Sequence, residues 1–261
     1  KNPFQRFVSS MGTLFLALMI AFLFGAFLRF SYAEIWKNSH AYLTLIVPIL
    51  LIALTAHLLK FLNLTTYAIP ILFITVITAS LFSEWLAFLV SVVTILLVSV
   101  GFKGNAVFIS STLASAAVVS FTLKTVNMRN KMVIPIAYAA VTGLVCVFVF
   151  NFVMFIPIND IMIFCTQFGI SAFMASLAAM LVLPLAEKFS GRTSDFTLMD
   201  VSNSNTLLLK KLAIEAPGTF AHSILVGNAA AAAAEAIGAN PVLARAGGYY
   251  HDIGKLVNPE Y

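Results

Sequence analysis

Two short segments near the end of the chain concentrate its chemistry: Pro217-Gly218-Thr219-Phe220-Ala221-His222-Ser223 and Tyr249-Tyr250-His251-Asp252-Ile253-Gly254-Lys255. They hold the only histidines beyond His57. A neutral imidazole nitrogen and a carboxylate oxygen both suit borderline or hard divalent cations, and one carboxylate can bridge two ions. His222, His251 and Asp252 are therefore candidate metal ligands. A His-Asp pair alone is more often a surface pair. Here a second histidine precedes it, a glycine follows it, and Lys255 lies three residues beyond Asp252. Three ligands are too few to complete a two-metal hydrolytic site, so the others are expected beyond Tyr261.

Helices must position these groups. Thr219 is suited to cap a helix running from Phe220 to Ile237, with Gly238 as its stop, and Asn240-Pro241 gives a well-formed start to the next. The result is a helical hairpin. Gly247-Gly248 inside its second helix costs about 1 kcal/mol per glycine relative to alanine. Close approach of another helix would offset that, and the small-sided Ala229 to Ala234 run is the natural partner surface. Counted from the hairpin loop, His222 lies 16 residues before Gly238 and His251 lies 11 after Asn240. A strict antiparallel hairpin would stagger them by about 7 to 8 Å, which predicts a steep crossing. Upstream, Leu208, Leu209, Leu212 and Ala213 have helical spacing beside Lys210, Lys211 and Glu215. They predict an amphipathic helix from Asn205, ended by Pro217-Gly218, that serves as a stalk.

The rest of the chain is of another kind. Of 261 residues 61% are hydrophobic and 10% charged, with mean hydropathy +1.00, which excludes an ordinary soluble domain. Residues 1–187 carry 13 charged side chains and the last 74 residues carry 12, so a membrane region precedes a polar tail. Seven apolar runs can be marked: Val8 to Leu28, Ala41 to Leu59, Tyr67 to Phe82, Trp85 to Gly101, Ala106 to Leu123, Met132 to Phe155 and Ile161 to Leu185. Only Ser83 and Glu84 separate the third from the fourth, predicting a tight helical hairpin. Trp36 and Trp85 sit beside run ends, as interfacial indoles do. Pro48, Pro70, Pro135, Pro157 and Pro184 are read as kinks or ends. Cys146 and Cys165 lie within apolar runs as small hydrophobes, which excludes a disulfide scaffold.

Glu34, Glu84, Asp160 and Glu187 all fall at run ends, and only His57 lies within a run. Transporters and pumps place ionisable groups at mid-membrane depth, so the membrane part reads as sensor or anchor. Arg29, Lys37, Lys124, Arg129, Lys131, Lys188 and Arg192 fall on one side, against Lys1, Arg6, Lys60 and Lys103 on the other. The positive-inside rule then puts the tail in the cytoplasm and Lys1 outside. The net charge of +5 comes mostly from residues flanking apolar runs, so no nucleic-acid polymer is expected as a partner. Lys1 to Arg6 is too short and charged for a signal peptide, and the chain stops soon after its polar motif. An internal piece of a longer protein is expected.

His251-Asp252-Ile253-Gly254-Lys255, preceded by Glu215-Ala216-Pro217-Gly218-Thr219-Phe220-Ala221-His222-Ser223 and by seven apolar runs, resembles the bacterial 7TM-HD family. These are seven-span receptors with an intracellular HD hydrolase domain, the PgpH-type cyclic di-AMP phosphodiesterases among them. The resemblance implies an all-α fold: the end of an extracellular part over 1–6, a seven-span membrane bundle over 7–187, a connector over 188–204 and a truncated cytoplasmic HD domain over 205–261. It makes His222, His251 and Asp252 metal ligands, with Asp252 bridging two divalent ions, commonly iron or manganese, and Lys255 a substrate-phosphate contact. The implied reaction is hydrolysis of a cyclic dinucleotide, cyclic di-AMP to pApA, at the bacterial inner membrane and under control of an extracellular ligand. The sequence leaves homodimerisation open. Ala221 stands where the family often has a second histidine, and Thr206-Leu207 where it has His-Pro. The alternative is a non-catalytic receptor with a degenerate HD domain that binds a nucleotide or a partner.

Overall fold

The computed structural model describes residues 3–102, 105–126 and 129–257. Lys1, Lys103 and Tyr261, on which the orientation and truncation readings partly rest, lie outside the described residues, as do the side chains of Arg6 and Arg129. Among the described residues all regular structure is helical, the form in which an apolar segment satisfies its own backbone polar groups. The chain forms two compact units, Lys1–Val126 with Met132–Arg192 and Asn127–Lys131 with Thr193–Tyr261.

The first unit contains α1 (Pro3–Ser31), α2 (Ala33–Lys37), α3 (Ser39–Phe61), α4 (Leu72–Leu81), α5 (Glu84–Gly101), α6 (Ala106–Thr122), α7 (Val133–Val153) and α8 (Ile158–Ser190). Among the described residues five helices are long and apolar enough to cross a membrane: Ser10–Ser31, Ser39–Phe61, Glu84–Gly101, Val133–Val153 and Ile158–Ser190. The other two apolar segments, Thr66–Leu81 and Ala106–Thr122, are shorter. The count of seven spans is thus not reached by length.

The third run is broken rather than continuous. A 3-10 turn at Thr66–Ala68 leads to Ile69, which is extended before Pro70, and α4 then runs for only 10 residues. Leu72 and Ile74 to Ala79 are all buried, so α4 is covered on every side by protein. Non-helical backbone entering such a bundle must be satisfied by its neighbours. The Thr65 amide donates to Gln167 Oε1 at 3.3 Å, and Asn151 Nδ2 donates to the hydroxyl of buried Tyr67 at 3.3 Å. The predicted hairpin forms, with Ser83 capping α5 by accepting from the Leu86 amide.

Gly143 brings α6, α7 and α8 together. A Cβ there would collide with Ser115 Oγ and the Phe168 ring, and the Ser115 hydroxyl donates across helices to the Ala139 carbonyl at 2.8 Å. Charged groups close the helix ends. Lys60 Nζ donates to the Gly101 carbonyl at 2.7 Å, at the C-terminus of α5, and Lys124 pairs with Glu84. His57 is exposed and its Nδ1–H donates to the Ala53 carbonyl at 3.1 Å. The last helix outruns the predicted Leu185 and ends at Gly191, whose φ of +66° makes a left-handed cap.

The second unit contains α9 (Asp195–Val201), α10 (Leu207–Glu215), α11 (Pro217–Ala236), α12 (Pro241–Tyr250) and a 3-10 turn at Ile253–Leu256. The amphipathic segment is α10. Its Leu209 and Leu212 are fully buried and it packs on α11, so it belongs to this unit and is no free stalk. Pro217 does more than end α10, because it is the first residue of α11. Thr219 therefore lies inside the first turn and caps nothing. Gly238 takes φ +70° in the loop, and Asn240 caps α12 by accepting from the Val242 and Leu243 amides.

Candidate metal centre

α11 and α12 approach backbone to backbone. A Cβ on Gly248 would strike the Gly227 Cα and lie 2.7 Å from its nitrogen, while one on Gly227 would lie 2.9 Å from the Arg245 carbonyl oxygen. Gly248 thus has the packing reason expected of it, but its partner is Gly227 rather than the Ala229 to Ala234 run. Gly247 meets nothing within 4 Å.

This contact sets the register of the site. His222 lies five residues from Gly227 and His251 three from Gly248, on the same side of the crossing. The axial offset is then about 3 Å at 1.5 Å per residue, not the 7 to 8 Å obtained by counting from the loop. The loop absorbs the difference, because Gly227 lies 11 residues before Gly238 while Gly248 lies eight after Asn240. No steep crossing is needed to bring the histidines together.

Their rings lie 5.4 Å apart, edge to face. One donor atom from each of His222, His251 and Asp252 falls within 4.8 Å of the others. Both histidines are exposed and Asp252 is half-buried, so the cluster opens to solvent. His251 Nδ1 lies 2.7 Å from the Gly248 carbonyl. A carbonyl only accepts, so Nδ1 carries a proton, and in the neutral ring Nε2 then offers its lone pair, 3.6 Å from Asp252 Oδ2. A backbone acceptor on the far nitrogen is the usual means of orienting a metal-binding imidazole. Two imidazoles and a carboxylate suit a divalent transition metal, so the donor set fits such an ion.

Lys255 reaches the same carboxylate, with Nζ 2.8 Å from Asp252 Oδ2. Its hydrogen bond, with the positive charges nearby, holds the Asp252 carboxyl below the usual carboxylate range. All four predicted residues are therefore brought together.

Gly227 went unrecognised in the sequence, where a lone glycine five residues after His222 carries no sign of its partner. Also missed were the side chains that hold α12 from outside. Tyr250 donates from its hydroxyl to the Val201 carbonyl at 2.8 Å, and Asn240 Nδ2 donates to Asp195 Oδ1 at 2.8 Å.

Fold and site together define an all-helical membrane protein carrying a His-His-Asp cluster on a helical hairpin. The family described as 7TM receptor with intracellular HD hydrolase matches residues 7–194, and the HD domain matches residues 219–261. The chain belongs to this 7TM-HD family. The cyclic-di-AMP phosphodiesterase PgpH of Bacillus subtilis is 45% identical over 92 residues, covering 35% of this chain and 13% of that protein. PgpH of Listeria monocytogenes is 44% identical over 93 residues, 36% of this chain and 12% of the relative. An uncharacterized Synechocystis protein is 39% identical over 92 residues, 35% of this chain and 11% of its own. The matched stretch is thus a small part of each relative's length. No solved structure matches the chain.

Proposed function

We propose that the intact protein is a membrane-anchored, metal-dependent phosphodiesterase that hydrolyses a cyclic dinucleotide, cyclic di-AMP to pApA. The observation that carries this reading is the convergence of His222, His251 and Asp252 with Lys255 beside them. The family's HD hydrolase and the names of two relatives suggest the reaction class and the substrate. His222 and His251 would hold the cation through ring nitrogens, with the Gly248 carbonyl keeping a His251 proton on Nδ1, away from it. Asp252 would be a further ligand to divalent ions, iron or manganese, with the remaining ligands supplied from outside the described residues. When bound, such ions act as Lewis acids on the phosphodiester and activate water. Lys255 orients Asp252 and meets a substrate phosphate as a point charge.

In this reading the membrane bundle spans the bacterial inner membrane seven times, with residues 1–6 leading from an extracellular part. Residues 188–204 connect it to a cytoplasmic HD domain beginning near residue 205. An extracellular ligand regulates the activity. The test is metal analysis of the full-length protein, followed by chromatography of cyclic di-AMP incubated with it and with Asp252→Ala. Metal-dependent release of pApA by the wild type alone is expected. Turnover retained in Asp252→Ala, or undiminished after metal is removed, would overturn the assignment.

A further inference from the structure

α12 is held at both ends by the short helix that precedes it in the unit. At its N-terminus, Asn240 caps α12 with Oδ1 while its Nδ2 donates to Asp195 Oδ1 at 2.8 Å, and Asp195 is the first residue of α9. At its C-terminus, Tyr250 donates to the carbonyl of Val201, the last residue of α9, at 2.8 Å. The Tyr250 proton is thereby committed, so the Thr206 hydroxyl 3.1 Å away is the donor to Tyr250 Oη. Tyr250 is adjacent to His251, whereas Asp195 follows the left-handed Gly191 that ends the last membrane helix by only four residues.

From these contacts we infer that α9 is a strap across α12 which positions His251 and Asp252, and that Tyr250 and Asn240 are positioning residues for the metal centre. The inference rests on the metal-centre reading above and adds the route by which the membrane helix reaches it. Any displacement of α9 along its axis pulls on both latches of α12. The Tyr250 latch lies at the point where the backbone turns to present the His-Asp pair. The Gly227–Gly248 contact fixes α12 against α11 two residues before Tyr250, so motion imposed at Tyr250 falls on the residues beyond that contact and is expressed as a change in the angle and spacing of His251 and Asp252 relative to His222.

The test uses the full chain in detergent and two sets of variants. Tyr250→Phe keeps the ring and removes the donor. Asn240→Asp keeps the cap but sets a carboxylate against Asp195, and the double exchange Asn240→Asp with Asp195→Asn restores a donor–acceptor pair in the opposite sense. Manganese affinity is read by electron paramagnetic resonance, and hydrogen exchange is followed over residues 195–201 and 248–252. Tyr250→Phe and Asn240→Asp should each weaken manganese binding by about ten-fold, the lower end of the range for outer-shell partners of metal ligands. Both should also speed exchange in the two segments together, and the double exchange should recover most of the loss. Faster exchange confined to α9 with manganese affinity unchanged would overturn the inference, as would failure of the double exchange to recover anything. If wild-type protein binds no manganese, the metal-centre reading fails; the strap is then judged by whether exchange over residues 248–252 follows that over α9, and independent behaviour overturns it.

Discussion

Gly248→Ala inserts one methyl group where α11 and α12 touch without side chains between them. The new carbon would lie 2.7 Å from the Gly227 nitrogen and would also strike its Cα, and neither backbone atom can rotate away. Restoring a contact of roughly 3.5 Å with the nearer Cα requires the helices to part by about 1.1 Å. Overpacking of this kind costs about 1 to 3 kcal/mol, with the upper end expected where backbone meets backbone. The gain in helix propensity from replacing glycine offsets about 1 kcal/mol of that. A net loss of about 2 kcal/mol remains, equivalent to a roughly 30-fold fall in hydrogen-exchange protection of the α11 and α12 amides. Ligand distances in a metal site tolerate only about 0.2 Å, so the same displacement should weaken manganese binding at least about ten-fold, or about 1.4 kcal/mol. Gly247→Ala is the internal control. Its added carbon meets nothing within 4 Å, so only the propensity gain of about 1 kcal/mol acts and protection should rise by roughly five-fold. Adjacent glycines thus respond with opposite sign. If both variants shifted protection in the same direction, or if Gly248→Ala kept wild-type manganese affinity, the glycine contact could not be what sets the register of the site.

Asp252→Ala in the intact protein should abolish metal loading and hydrolysis while leaving the helical circular dichroism of the bundle unchanged; retained metal would remove Asp252 from the ligand set. Lys255→Ala should raise the Michaelis constant more than it lowers kcat, and equal effects on both would argue against a phosphate contact. Because Lys255 depresses the Asp252 pKa, their pairing contributes stability above the unfolded carboxyl's value of about 3.9 and loses it as pH falls through the lower folded value. In metal-free Lys255→Ala the Asp252 carboxyl should therefore titrate at higher pH by carbon NMR, and an unmoved midpoint would assign the depression to another group. Gly143→Ala should loosen the α6–α7–α8 contact, where its Cβ would meet Ser115 and Phe168, and lower the melting temperature of the bundle; an unchanged melting temperature would show that the contact relaxes freely.

Much of this was legible because the signals are local. Asn240-Pro241 starts a helix and Gly238 stops one through backbone preferences that act over a few residues. The His222, His251 and Asp252 cluster was legible because residue types with metal chemistry are scarce in this chain. What stayed hidden depends on partners distant in sequence. Gly227 and Gly248 are 21 positions apart, and nothing short of their packing says that they meet. The stagger between the histidines was overestimated for the same reason, since a count from the loop assumes that both helices enter it symmetrically. In the membrane unit, hydropathy marks Tyr67 to Phe82 as one run because burial in protein and burial in lipid select the same side chains. α4 needs no bilayer-spanning length, being enclosed by other helices, and Pro70 breaks its approach where Gln167 and Asn151 satisfy the neighbouring polar groups.

Adjacency in sequence does not by itself bring a histidine and an aspartate to one metal. In a continuing α-helix, successive side chains diverge by about 100° around the axis, which would turn Asp252 away from the cluster that His251 faces. The chain avoids this by ending α12 at Tyr250. His251 still has helical angles, φ −59° and ψ −33°, and so keeps its ring over the preceding turn with Nδ1 on the Gly248 carbonyl. Asp252 departs to φ −107° and ψ 16°, and the tighter Ile253–Leu256 turn carries Lys255 back over it, with the Lys255 amide donating to the Asp252 carbonyl at 3.0 Å. Tyr250 sits at the last helical position before this change of direction and is tied to α9 there. The helix end, the His-Asp pair and the tie of Tyr250 to α9 therefore coincide within three residues, so a pull on α9 would act most strongly at the point where the candidate donors are presented.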